Sequence, residues 1–332
     1  MAHEIDFSNK RANMAYVGET PWHSLGAKLP AGADMETWRQ AAGLDWEVVE
    51  TPVMFQDGTP PAFREFPIQK VLLRSDTRAP LSTVSKWYNT VQPGEVLGFF
   101  DELVKSAGFQ LETAGSLRGG NRIWALARVG EEAKILDGDM VRPYLLLATS
   151  YDASMATTAQ FTAIRVVCNN TLTAAVGDSK RGVKEGAAEP KVKIAHLSKF
   201  DAQDVREQLT IAVSGWDEFI IKSRLMAQAP LDEELVDAFL LNLFKTKRDD
   251  LVAADKARNT KGYKRVLELF NGAGAGADMA GKTVWGAVNA VTQYVDHERG
   301  MKRETGLDAA WFGEGATLKD RAFSIAKELV LA

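Results

Sequence analysis

The chain has little cysteine and little histidine. Its single thiol, Cys168, cannot form an internal disulfide, and it excludes every zinc site built on several cysteines. Four histidines, His3, His23, His196 and His297, are too few and too scattered for a histidine-rich metal centre. Long apolar runs are also missing: Tyr144–Ala148 and Phe239–Leu241 fall far short of a membrane span. Met1–Lys10 is polar and lacks the apolar stretch of a secretory signal. These absences predict a cytoplasmic protein with no membrane segment, no metal and no cofactor. What is present is ordinary globular composition: 332 residues, 45% hydrophobic and 25% charged. That length suits two domains and buries a core without staples.

A net charge of -4 argues against a nucleic-acid binder, but the average conceals an uneven distribution. Between residues 178 and 199, Lys180, Arg181, Lys184, Lys191, Lys193 and Lys199 face only Asp178, Glu185 and Glu189. Between residues 245 and 265, Lys245, Lys247, Arg248, Lys256, Arg258, Lys261, Lys264 and Arg265 face Asp249, Asp250 and Asp255. The windows carry +3 and +5, which leaves -12 on the rest of the chain. A phosphate feels the local field, screened over roughly 10 Å, rather than the total. Two readings stay open: solvated surface segments, or a surface that tracks phosphates.

The first half alternates β-rich runs with one clear helix. A short helix is expected at Met35–Ala42, then strands at Trp46–Phe55, Ile68–Arg74 and Ser82–Tyr88, broken by Asp57-Gly58 and Pro60-Pro61. Pro93 opens a helix whose apolar residues recur at helical spacing to Ala107, and Gly108 ends it. Further strands are expected at Phe109–Leu117, Ile123–Val129, Tyr144–Tyr151 and Gln160–Cys168, with Gly119-Gly120-Asn121 as a hairpin turn. Consecutive strands with short turns predict an α+β domain: an N-terminal antiparallel sheet covered by a helix. Residues 1–177 form this domain, and 178–200 read as a basic linker or mobile loop. Residues 201–332 read as a helical domain, with helices at Asp201–Ala227, Leu231–Phe244, Gly262–Phe270, Lys282–His297 and Thr317–Leu331. Thr317 with Asp320 would cap the last one.

Gly276–Thr283 matches the phosphate-loop pattern G-x-x-x-x-G-K-T, in which backbone amides and Lys282 hold phosphates and Thr283 a magnesium ion. That chemistry needs a buried strand before the loop, whereas Tyr263–Phe270 reads as helix. A glycine-alanine loop feeding the next helix is the simpler reading. In Thr20-Pro21-Trp22-His23-Ser24-Leu25-Gly26, a catalytic His23 would need Ser24 or Cys168 beside it and a third group to orient the imidazole. A hydrogen-bonded anchor asks for less, so no catalytic residue is assigned. Arg165-Val166-Val167-Cys168-Asn169-Asn170-Thr171-Leu172 ends a strand in polar side chains that bind a ligand or cap the next element. On the helix around Asn289–His297, Asn289, Thr292 and Asp296 share a face. Such a stripe is either bonded between helices or turned toward an oligomer partner.

Thr20–Gly26, Arg165–Leu172 and Thr283–His297, taken in order along nearly the whole chain, resemble the phage/plasmid-like protein family. Trp22, His23, Arg165, Asn169, Asn170, Asn289, Asp296 and His297 carry the resemblance, which implies a protein of mobile genetic elements in a bacterial host cell. Lys282 stands outside that family's usual pattern. The order helix, three antiparallel strands, helix over Met35–Ala107 is similar to the core of Rad52-type single-strand annealing proteins, and Gly43-Leu44-Asp45-Trp46 echoes their approach to the first strand. In those proteins the second helix is basic; here it carries Glu95, Asp101 and Glu102 against Lys105. DNA contacts therefore fall to hairpins and the two basic windows.

The expectation that follows is a non-enzymatic recombination or replication accessory that holds single-stranded DNA as a homo-oligomeric ring or filament. Lys180, Arg181, Lys184, Lys191, Lys193, Lys247, Arg248, Arg258, Lys261, Lys264 and Arg265 would hold phosphates, and exposed Trp87, Tyr88 and Tyr263 would stack on bases. The rivals are a protein that binds a host factor, and an NTPase on Gly276–Thr283.

Overall fold

The computed structural model describes residues 5–8, 10–21, 24–58, 62–165, 170–172, 191–194, 216–244, 251–299, 306–311 and 313–331. Strands concentrate in the N-terminal half and helices in the C-terminal half, so the architecture is α+β. The first half contains β1 (Met14–Val17), β2 (Ala27–Leu29), α1 (Met35–Ala41), β3 (Val48–Asp57), β4 (Ala62–Arg74), β5 (Pro80–Ser85) and α2 (Pro93–Ala107). It continues through β6 (Gln110–Leu117), β7 (Arg122–Arg128), β8 (Ala133–Leu136), β9 (Asp139–Ser150), β10 (Thr157–Arg165), β11 (Asn170–Leu172) and β12 (Lys191–Ile194).

The large sheet runs β11-β10-β9-β7-β6-β1-β2, with β12 also on β10 and β8 also on β9. All its pairings are antiparallel except β1 with β2. The outer edge of β10 is shared: Ala163–Arg165 pair with β11 and Thr157–Gln160 with β12. Lys191–Ile194 is therefore a strand, although it falls within the stretch expected to be a linker. Residues 173–190 lie outside the described residues. The β6–β7 hairpin turns through Arg118–Gly120, where Gly119 (φ 66°) and Gly120 (φ 97°) occupy the left-handed region that favours glycine.

A separate sheet, β3-β4-β5, is an antiparallel meander. β4 starts at Ala62 rather than Ile68, so β3 and β4 pair out to Asp57↔Ala62, beyond the reach of β5, which pairs only from Gln69 to Leu73. The distal two strands form a projecting arm, and the register shifts between Pro52 and Val53 where it leaves the sheet.

α2 has the bounds its sequence implies. The Glu95 carboxylate accepts from the Gln92 backbone N–H at 2.6 Å, Pro93 occupies the first turn, and Gly108 closes the helix at φ 68°. Its inner residues Val96, Phe99, Phe100 and Leu103 pack on Ile123, Ala125, Leu145 and Leu147 of the large sheet. Period-two alternation sends Trp124, Leu126, Tyr144 and Leu146 to the opposite face.

The helical half contains α3 (216–228), α4 (Glu233–Phe244), α5 (Leu251–Arg258), α6 (Lys261–Glu268), α7 (Ala277–Ala280), α8 (Val284–Gln293), α9 (Gly306–Trp311) and α10 (Glu314–Leu331). Wider π-type turns extend α6 over Leu269–Ala273 and α8 over Tyr294–Glu298. α10 starts three residues before Thr317, so the expected cap does not form; the Thr317 hydroxyl instead donates to the Gly313 carbonyl. The core of this half includes Phe219, Phe239, Trp285, Val288 and Phe323, and it reaches the sheet at Val141 and Ala163. Among the described residues no helix is long and apolar enough to cross a membrane.

Candidate functional site

Two surfaces stand out: the β3–β4 arm and a cavity on the far face of the large sheet. The arm is apolar on both sides. Cross-strand register puts Val53, Phe55, Arg64 and Phe66 on one face and Met54, Gln56, Phe63 and Glu65 on the other. Met54, Phe55, Phe63, Phe66 and Ile68 are all exposed, Phe63 to 73%. At the base of the arm Trp87 is 61% exposed, with the Lys86 ammonium 5.3 Å from its ring centre. An isolated two-stranded ribbon is marginal in water, and bare aromatics on it mark a contact surface.

The other two aromatics expected to stack on bases do not. Tyr88 is buried beneath the sheet, its hydroxyl donating to the Ser150 carbonyl at 2.5 Å, and burial pushes its phenol well up. Tyr263 is buried in the helical core with its hydroxyl on Asp237; burial and that carboxylate push it up to about 12. Both rings belong to packing, because each hydroxyl has a fixed internal acceptor.

Two expected phosphate ligands are likewise committed elsewhere. The Arg258 guanidinium forks onto Asp237 at 2.6 and 3.0 Å, and Arg265 forks onto Glu298 at 2.5 and 2.9 Å while also reaching Glu268. These carboxylates raise both guanidinium pKa values. Lys261 and Lys264 are exposed on α6. Lys180, Arg181, Lys184, Lys247 and Arg248 lie outside the described residues, as do Trp22, His23 and Asn169. The backbones of Arg165, Asn170, Lys191 and Lys193 belong to β10, β11 and β12.

Gly276–Thr283 does not form a phosphate loop. A four-residue helix, α7, occupies its centre, and α6 with its π-type turn precedes it where a strand is required. The Thr283 hydroxyl caps α8, accepting from the Gly286 N–H at 3.1 Å and donating to the Ala280 carbonyl. Lys282 borders a cavity together with Asp232, Glu233 and Asp237, an acidic setting that repels phosphate.

The Asn289–Thr292–Asp296 stripe is internal. The Asn289 amide donates to the Trp285 carbonyl, the Thr292 hydroxyl to Val288, and Asp296 forms a buried ion pair with Lys319 at 2.7 Å. Oligomer contact is thus not its task.

The cavity, of about 350 Å³, lies between the large sheet and the π-type turn and α9 of the helical half. Trp124, Leu126 and Arg128 from β7, and Arg142 and Tyr144 from β9, form its sheet wall; His297, Asp296 and Trp311 close it. The Tyr144 hydroxyl donates to Glu112 at 2.7 Å, and burial followed by that carboxylate pushes the phenol far up, fixing it as a proton donor. Two of the three sequence motifs touch this place: Pro21 lines it from the first, and Asp296 and His297 from the third, while Ile164, which also lines it, immediately precedes the second. The residues that the sequence did not flag, Glu112, Thr113, Trp124, Arg128, Arg142 and Tyr144, lie on three neighbouring strands, with a register shift between Leu111 and Thr113 where adjacent Glu112 and Thr113 both line the cavity. Among the described residues no group of three His, Cys, Asp or Glu side chains is placed to hold a metal ion.

A family model described as a domain of unknown function (DUF932) matches residues 80–311, more than two thirds of the chain. The matched span includes most of the cavity wall and begins after the arm. No curated protein and no solved structure matches the chain.

Proposed function

We propose that this chain, which belongs to the DUF932 family, is a mobile-element accessory of DNA recombination or replication that holds single-stranded DNA on the β3–β4 arm. The observation that carries the reading is the set of exposed aromatic rings on the arm, Phe55 and Phe66 on one face and Phe63 on the other, with Trp87 at its base and Lys86 and Arg64 nearby. Every base has a π-face, so such a platform binds a strand without reading its sequence. The order α1, β3, β4, β5, α2 supports the likeness to Rad52-type annealing proteins. Annealing needs no chemistry: a strand held extended with its pairing edges free meets its complement at low entropic cost.

The acidic surface of α2, where Asp101 is tied to Lys105, keeps phosphates off that helix. Lys261 and Lys264, with the cations at 180, 181, 184, 191, 193, 247 and 248, remain as candidate phosphate partners. Assembly of copies through the helical half would give a groove long enough for a strand.

Fluorescence polarisation with a labelled oligothymidine tests this. If roughly six phosphates are neutralised, log K falls with log salt at a slope near -4. A Phe55→Ser, Phe63→Ser, Phe66→Ser variant that stays folded should lose most of the binding. No binding at low salt, or a flat salt response, removes the proposal.

A further inference from the structure

We infer that the outer border of the β3–β4 arm is a self-association site, where Val53–Asp57 of one copy pairs antiparallel with Val53–Asp57 of a second copy. The pairing uses the border of the arm and leaves both of its faces free, whatever those faces bind.

β3 is an edge of the small sheet, and its two halves treat that edge differently. At the base the edge is closed. The Val48 N–H donates to the Gln92 side-chain oxygen at 2.8 Å, and the Gln92 amide donates back to the Val48 carbonyl at 3.2 Å, as a neighbouring strand would. The Thr90 hydroxyl bonds the Glu50 carboxylate at 2.9 Å, so the chain before α2 runs along this stretch. Outward-facing backbone groups alternate, which places Glu50 and then Pro52 in line with Val48, and proline has no N–H to offer.

Beyond Pro52 the register shifts and those devices stop. Val53, Met54, Phe55 and Gln56 include no charge and no proline, and among the described residues no strand pairs with their outer side. Native sheets blunt such edges with charge, proline or cover, and a bare apolar one is a template for another chain. The opposite border of the arm is less open: Ala62–Phe66 includes Arg64 and Glu65 and is followed by Pro67. Two strands alone are marginal in water, whereas two arms joined along β3 make a ribbon of four.

The bare stretch suits its own copy. An antiparallel pair about a two-fold axis at Phe55 sets Phe55 against Phe55, Met54 against Gln56 and Val53 against Asp57. The charges permit it. The two Asp57 carboxylates fall about 13 Å apart along the ladder, beyond the screening length of about 8 Å. Each also has its own Arg64 guanidinium at 3.4 Å. Directly opposite residues share a face, so Phe55 and Phe66 of both copies join into one wider surface. So short a ladder belongs with the weak, reversible contacts that bury less than about 1,200 Å².

Sedimentation velocity of the full chain without DNA, over a micromolar to millimolar series, tests this. The wild type should pass from monomer to dimer as concentration rises. Met54→Lys with Gln56→Lys sets lysine against lysine twice and should weaken the dimer by at least about tenfold. Met54→Glu with Gln56→Glu should do the same. Mixing the two variants sets lysine against glutamate and should restore association as a heterodimer. Both residues are exposed, so the melting temperatures of the variants should hold. A wild type that stays monomeric, whether or not it captures a strand of another protein, overturns the proposal. So does a dimer that survives either double variant, or a mixture that stays monomeric. With no DNA present, these outcomes are distinct from any loss of oligothymidine binding.

Discussion

The indole N–H of Trp285 donates to the buried carboxylate of Asp139 at 2.9 Å, joining residues 146 positions apart. Asp139 opens β9 and Trp285 lies in the first turn of α8, so this bond fastens the helical half to the sheet. Trp285→Phe removes the donor to a buried carboxylate and leaves a void. The expected loss is about 2–4 kcal/mol, measured by urea unfolding.

Arg74 and Asp6 form a second internal junction, 2.6 Å apart and both buried, with the guanidinium 4.3 Å over the Trp46 ring and also on Asp76. Burial alone would raise the Asp6 pKa, but bonds from Asn13, Arg74 and the Ser8 N–H outweigh it and hold the group below its usual value. A carboxyl whose folded pKa is depressed gives stability that is complete above its unfolded pKa, near 4, and lost as pH falls through the folded one. Arg74→Met should cost about 3–5 kcal/mol at neutral pH and move the acid-unfolding midpoint upward. Circular dichroism against pH reads both.

Lys319 and Asp296 pose the same problem beside the cavity. Lys319→Met should destabilise by about 3 kcal/mol, because a largely buried carboxylate loses one buried cationic partner. Adding Asp296→Asn removes that charge and should restore part of the loss in a chemical unfolding series.

On the arm the signs differ. Phe63 is mostly in water, so Phe63→Ser should change stability by less than about 0.5 kcal/mol. The same substitution should weaken oligonucleotide binding by about 1–3 kcal/mol, the worth of one base stacked on an aromatic ring. Parallel polarisation and melting measurements check the contrast.

The elements legible in the sequence were those whose signals are local. α2 carries its own proline start and glycine stop, and the β6–β7 turn carries its glycines. β1, β2 and β8 were not legible: at four, three and four residues they exist only through pairing with distant strands. Tyr88 and Tyr263 were misread for a related reason, since a tyrosine near charged residues does not reveal which way its ring turns. Arg258 and Arg265 looked free because their partners Asp237 and Glu298 lie 21 and 33 residues away. The motif stretches are visible, but the meeting of the first and third at one cavity depends on how the helical half packs on the sheet, which no local pattern encodes.

Among the described residues, both margins of the large sheet are stubs. One ends in β2, three residues long, and the other is split between β11 and β12, of three and four residues. Fragmented borders are poor templates for continuing a ladder into a neighbouring molecule. Polymers of this protein, if they grow, will therefore not prolong the large sheet; a ladder shared between copies has the ten-residue border of β3 in the small sheet to start from.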